Sequence, residues 1–302
     1  MPTAGRQVLT GLLSYSSSVS VSSRRSDERS TDGESKRVLS KRLALVFDLS
    51  LLALVPVVLL AVFSLPLDVR EEFVFDVTDP SVVGAYTSHY VHLSQSHLVG
   101  NLAMYLLVVP LTYALSVLSD RQWLFRNACV TFLVAFPFAL SGLQLVFPRE
   151  RILFGFSGIN AAFFGLLCFV LVSYASAHLS SHIHERDAPA LLFVTVALIS
   201  LITVPSRAWP LEIAAAALAV AVLYIVGVAL KIRVPNWHLF VERSGAGRIE
   251  LFVIGFAILL SYPFLGFQRT FTGDGAVFDL YSHLLGYCLA FIVVYTAVVI
   301  VE

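Results

Sequence analysis

The sequence predicts an all-α fold, a polytopic bundle of transmembrane helices with about eight spans. Three observations predict it. Hydrophobic residues make up 58% of the 302 and charged residues 13%, against about 45–50% and about 25% in a soluble domain. Too few polar side chains exist to cover a water-facing surface. Apolar runs recur from Lys41 onward, most of them about 20 residues long, enough to cross about 30 Å of hydrocarbon. The basic residues are also segregated between alternate loops, as described below. The composition excludes a disordered chain and a disulfide scaffold. With 20 Lys+Arg against 20 Asp+Glu, no basic excess remains for nucleic acid.

Along the chain, residues 1–40 read as a disordered, Ser-rich cytoplasmic tail, with eight basic residues counting Lys41 and Arg42. No apolar core with a cleavage site points to a signal peptide. The spans then run at 43–65, 95–117, 123–147, 156–178, 188–204, 210–230, 250–267 and 280–301, the fifth being the shortest. Backbone groups in hydrocarbon must pair within their own segment, which makes these runs helices. Pro56, Pro110, Pro137 and Pro263 predict local kinks. The loop at 66–94 is long and acidic, with Asp68, Glu71, Glu72, Asp76 and Asp79. With a cytoplasmic amino terminus, fifteen Lys and Arg fall inside and five outside, the positive-inside bias of a cell-membrane protein. Cys129, Cys168 and Cys288 sit inside apolar runs and read as small buried hydrophobes.

Polar residues at membrane depth are costly, so each needs a reason. The run from His92 to Asn101 enters the second span. His97 and Asn101, four apart, share a helix face about 6 Å apart along the axis. They are either donors for a developing oxyanion or an interhelical packing contact. Gly155-Phe156-Ser157-Gly158 opens the fourth span. Its glycines leave the serine hydroxyl and backbone N–H open to a ligand, though Gly-Ser pairs also serve helix packing. His283, early in the eighth span, reads by itself as an interfacial residue. Beyond it Gly286 and Ala290 form a small-residue face that matches Ser157, Ala161 and Gly165 on the fourth span. Contact between these faces would set His283 beside Ser157.

The second, fourth and eighth spans all begin on the outer side, so His97, Asn101, Ser157 and His283 can share one depth. A nucleophile, a base and two donors at one depth form a reaction site. On these residues the chain resembles the rhomboid intramembrane serine proteases, over about residues 41–302. The resemblance rests on His92, His97 and Asn101 (H-x4-H-x3-N), on Gly155 to Gly158 (G-x-S-G), and on His283 with Gly286. It implies a rhomboid-like core with Ser157 as nucleophile and His283 as general base. Asn101, His97 and the Ser157 backbone N–H would hold the oxyanion, and His92 would support the outer loop. It implies no metal or organic cofactor, and as substrates the transmembrane segments of other proteins in the lipid bilayer. The chain departs from the family in three ways. Three spans rather than one separate the serine and histidine helices. The outer loop lacks a Trp-Arg pair and holds Arg70 alone. Ala290 stands where a second glycine is usual.

No motif offers a carboxylate to orient His283, so the reading is a Ser-His dyad. Asp48 should lean toward the cytoplasmic interface, and Glu212 sits at a span end. His178 and His182 would make a metal site only if their helix continued between them; a solvated segment is the simpler reading. Two rivals stand beside the protease: an inactive rhomboid-like protein that binds membrane-protein clients, and a transporter, which would call for inverted repeats. Oligomeric state is not legible in the sequence.

Overall fold

The structure, a computed structural model, describes residues 40, 42–146, 152–203, 209–231, 247–267 and 280–300. The sequence reading of a disordered 1–40 tail falls almost wholly outside these residues. Helix α1 (Arg42–Phe63) opens the described chain and runs through the boundary between two compact units, Met1–Leu54 and Val55–Glu302. In the first unit α1 exposes Leu43, Val46 and Phe47, while Asp48, expected at the interface, is fully buried. Everything that follows lies in the second unit.

The loop at 66–94 is folded. It contains α2 (Leu67–Glu71), strand β1 (Phe75–Asp76), α3 (Val82–Thr87) and a 3-10 turn (Ser88–Tyr90). Next come α4 (Gln95–Leu118), α5 (Gln122–Val134), α6 (Phe136–Val146), strand β2 (Ile152–Leu153) and α7 (Ser157–His178). A 3-10 turn (Glu185–Asp187) leads into α8 (Pro189–Thr203), α9 (Trp209–Lys231), α10 (Arg248–Gly266) and α11 (Leu280–Tyr295), which ends in a π turn (Thr296–Ile300). The two strands, of two residues each, are a small addition to an otherwise helical chain. Phe75 pairs with Leu153 and Asp76 with Ile152, antiparallel, which ties the loop at 66–94 to the segment just before α7.

The chain is a membrane-embedded, multi-pass helix bundle. Helices α1, α4, α7 and α10, and the stretch Tyr281–Val299, are long and apolar enough to cross a membrane. The pair α5–α6, bent by 52°, would make a sixth crossing. The eight apolar runs of the sequence are helical over most of their described residues, but α8 at 15 residues covers only about 22 Å at about 1.5 Å per residue, and the apolar part of α9, Leu211–Gly227, is also shorter than a full span. The bend follows from Pro137, whose ring excludes the Leu133 carbonyl four residues earlier. That carbonyl accepts a hydrogen bond from Tyr90 Oη at 2.6 Å instead.

Helix α7 is the axis of the bundle. Every residue from Gly158 to Ala175 is buried, wrapped by α4, α10 and α11. The outward faces of the surrounding helices, such as Leu106 on α4, Leu223 on α9, Val253 on α10 and Ile292 on α11, expose apolar side chains suited to lipid. Hydroxyls within the helices bond back to their own turns, Thr112 to Val108 O and Ser116 to Thr112 O, both at 2.7 Å.

The two ends of the bundle differ. At the α7 carboxyl end, Arg121 makes a two-pronged ion pair with Glu185 (3.0 and 2.7 Å), and Glu185 also accepts from Ser173 Oγ. At the same end His178 Nε2 donates to Leu118 O at 2.7 Å and Tyr174 Oη donates to Arg248 O at 3.2 Å. Helix α7 stops at His178, so His178 and His182 share no helix face. Among the described residues no cluster of His, Cys, Asp and Glu could hold a metal ion. The Tyr174–Arg248 bond also places the start of α10 at the α7 carboxyl end. The opposite end holds the residues singled out by sequence.

Candidate active site

The site is built on the amino terminus of α7. Gly155 has φ +105°, a conformation that L side chains rarely adopt. Its N–H donates to Ser88 O at 2.9 Å. A Cβ at this position would come within 2.5 Å of His97 Cε1 and 2.8 Å of Nε2, so the missing side chain makes the space for that imidazole. Phe156 precedes the helix and supplies no side-chain cap. The first N–H groups of α7, that of Ser157 included, therefore lack helical acceptors. Ser157 is half-buried, and its hydroxyl bonds to none of the described residues.

Helix α11 meets α7 backbone to backbone. A Cβ on Gly286 would strike the Gly158 carbonyl oxygen and meet Ala161 Cβ at 3.3 Å. A Cβ on Gly165 would strike the Tyr287 carbonyl and meet Ala290 Cβ at 3.1 Å. The small-residue faces read from sequence therefore do face each other, and Ala290 fits because Gly165 opposes it. A Cβ on Gly158 would lie 3.8 Å from Ser282 O and 3.0 Å from Leu140 Cδ1 on α6. Gly158 follows Ser157 and Ser282 precedes His283, so this contact lies one residue along the chain from each of them.

His283 is buried, with Phe267 edge-on to its ring at 5.9 Å. Its Nδ1–H donates to Gly266 O at 2.7 Å, at the carboxyl end of α10. A carbonyl can only accept, so this bond selects the tautomer with the proton on Nδ1 and the basic lone pair on Nε2. A backbone carbonyl thus does the orienting for which the sequence offered no carboxylate.

On the other side of α7 lies a buried polar network. His92 is fully buried, and its Nε2 accepts from Asn101 Nδ2 at 3.0 Å and from Phe156 N–H at 3.4 Å. Burial first, then the nearby His97 and Arg70, push its imidazole down to about 3, so it is a neutral acceptor at ordinary pH. Asn101 Nδ2 also donates to His97 O at 3.1 Å, so in the resting site both its hydrogens are in use. His97 is half-buried, edge-on to His92 at 4.9 Å and to Phe154 at 5.6 Å. Its ring nitrogens bond to no described residue.

The structure thus gathers Ser157, His283, His97, Asn101, His92, Gly155, Gly158 and Gly286 around the first turn of α7. It adds residues that sequence reading passed over. Arg70 was counted only as a loop charge; it is buried, lies over the Phe63 ring at 4.4 Å, and donates to Leu65 O and His92 O. Gln144 on α6 donates to Ser282 Oγ at 2.6 Å. Asn160 donates to Asn101. A polar amide inside each apolar run was the available signal for the last two. Compared with family models, curated proteins and solved structures, the chain gives no match.

Proposed function

We propose that the chain is a rhomboid-type intramembrane serine endopeptidase. One observation carries the reading: α7 and α11 touch at Gly158 and Gly286, while Gly266 O holds His283 in the tautomer whose Nε2 is basic. Ser157 Oγ attacks the scissile carbonyl and its proton passes to His283 Nε2. The tetrahedral oxyanion is held by the Ser157 N–H and the His97 ring, and by Asn101 once one of its hydrogens leaves the His97 carbonyl. His283 then protonates the leaving amine, and water hydrolyses the acyl-enzyme. A helical substrate must unwind to present a carbonyl, which favours transmembrane segments with Gly, Pro or small polar residues near the site. In this reading α8 and α9 both cross, giving eight spans in a cell membrane with a cytoplasmic amino terminus.

The rival reading, an inactive relative that binds membrane-protein clients, draws on the unbonded Ser157 hydroxyl. Hydrogen bonds between catalytic groups are often loose before substrate binds. A fluorophosphonate probe separates the two readings. The purified protein should be labelled at Ser157 and should cleave a reconstituted transmembrane substrate, and Ser157→Ala and His283→Ala should each abolish both. Cleavage that survives Ser157→Ala, or a folded wild type that neither labels nor cleaves, refutes the protease.

A further inference from the structure

We propose that Asn160 is a positioning residue that holds the Asn101 amide in its donor orientation, an inference that rests on the protease reading above. Asn160 lies one turn after Ser157 and is 5% exposed. Its Nδ2 donates both to Asn101 O at 3.0 Å and to Asn101 Oδ1 at 3.1 Å. Both partners are acceptors, so only the nitrogen end of Asn160 can face them. Its own Oδ1 is buried with no hydrogen-bond partner. Packing alone would be better served there by an apolar side chain. Toward the other end of α7, the buried Ser173 hydroxyl is accounted for by its bond to Glu185.

The consequence falls on Asn101. Its amide is held at both ends, the nitrogen by His97 O and His92 Nε2 and the oxygen by Asn160. When an oxyanion draws an Nδ2 hydrogen away from the His97 carbonyl, one of the nitrogen's two anchors is lost. The Asn160 bond then keeps the amide plane from swinging. It also polarises the amide, since a hydrogen bond accepted at Oδ1 strengthens donation from Nδ2. Nδ2 lies on the side of Phe156, the residue before Ser157, because both donate to the same His92 nitrogen. Asn160 thus acts on the oxyanion through Asn101 without touching substrate.

The test is steady-state cleavage of a reconstituted transmembrane substrate by Asn160→Leu and Asn160→Ala, each also placed in an Asn101→Ala background. In the otherwise native protein, kcat should fall about 10-fold, less than the 10²–10³-fold of deleting a donor outright. KM and the pH profile should not change. In the Asn101→Ala background neither substitution should lower kcat further, because residues acting through one group are not additive. A purely structural role would instead lower kcat equally in both backgrounds, and that result overturns the proposal. So does native kcat in Asn160→Ala, or an effect confined to KM. The Ala variant serves if Leu does not fold. A wild type without Ser157-dependent cleavage removes the protease reading and this inference together; an active wild type with indifferent Asn160 variants removes this inference alone.

Discussion

At the scale of single residues, the two side chains proposed as oxyanion donors differ in readiness. Asn101 spends both amide hydrogens internally, whereas the His97 ring stands unbonded against Gly155. His97→Ala should therefore lower kcat at least as much as Asn101→Ala, with both near 10²–10³-fold. If Asn101→Ala proves severe and His97→Ala indifferent, His97 is packing against Gly155 and nothing more. Histidines of the outer loop make a separate prediction about pH. His89 donates from Nε2 to Ser141 Oγ at 3.1 Å, and Ser141 passes its own hydrogen to Ala85 O at 2.9 Å. Burial pushes His89 from its ordinary 6.5 down to about 4, and His92 down to about 3. A folded value below the unfolded one means the neutral ring favours the fold. That stabilisation is complete above pH 6.5 and is lost as pH falls toward 4 for His89 and 3 for His92. The unfolding midpoint in detergent should accordingly drop between pH 7 and pH 4, and His89→Gln should shrink the drop. An unchanged slope in that variant would remove His89 as a source of it.

At the scale of elements, the contact between α7 and α11 is the one on which the site depends. A Cβ on Gly286 meets backbone atoms of Gly158, which cannot step aside as a flexible side chain would. Gly286→Ala should therefore force the helices apart, destabilise by about 1–3 kcal/mol and lower turnover well beyond that loss of stability. Gly100 is the matched control, because a Cβ added there would meet nothing within 4 Å; its alanine variant should be neutral or stabilising by about 0.4–1 kcal/mol. Thermal unfolding and turnover of both variants check the pair, and equal behaviour would mean that α7 and α11 are not in backbone contact. This contact was legible in the sequence because each face repeats at helical spacing within a single span. So was the group around His97 and Ser157, whose motifs are local. What stayed illegible were bonds between distant positions: Asn160 reaches back 59 residues to Asn101, Gln144 reaches 138 residues to Ser282, and the Gly266 carbonyl that orients His283 carries no side-chain signature. The β1–β2 pairing escaped notice for a related reason, since two residues per strand leave no alternation to read. Pro137 announced a kink, but the 52° bend also needs Tyr90 to take up the Leu133 carbonyl.

At the scale of the whole molecule, the path from α7 to α11 decides whether Ser157 and His283 can meet at all. Sequence reading reached an answer by counting: two crossings between α7 and α10 keep His283 outside, and one would move it to the cytoplasmic side. The structure puts the start of α10 at the α7 carboxyl end, where Tyr174 bonds Arg248, and the two crossings between them belong to the proposal. From there α10 runs back to Gly266, which meets His283 near the level of Ser157. Charge is consistent with this arrangement, since Arg121, Arg186 and Arg248 all belong to the α7 carboxyl end, the side proposed as cytoplasmic from the positive-inside tendency. Whether the short α8 completes its crossing is a separate matter, and thiol accessibility answers both. Single cysteines at Glu72 in the outer loop, Ser181 before α8, Ser206 between α8 and α9, and Glu250 early in α10 are placed in a background lacking Cys129, Cys168 and Cys288. Intact cells are then treated with a membrane-impermeant thiol reagent. Labelling is expected at 72 and 206, and at 181 and 250 only after the cells are opened. Protection at 206 with the other three as expected would make α8–α9 a hairpin that enters and leaves from the cytoplasmic side, six crossings rather than eight, with the Ser157–His283 geometry untouched. Labelling at 250 without labelling at 181 would break the parity itself. It would set His283 a full hydrocarbon thickness, about 30 Å, from Ser157, and no dyad could survive that separation.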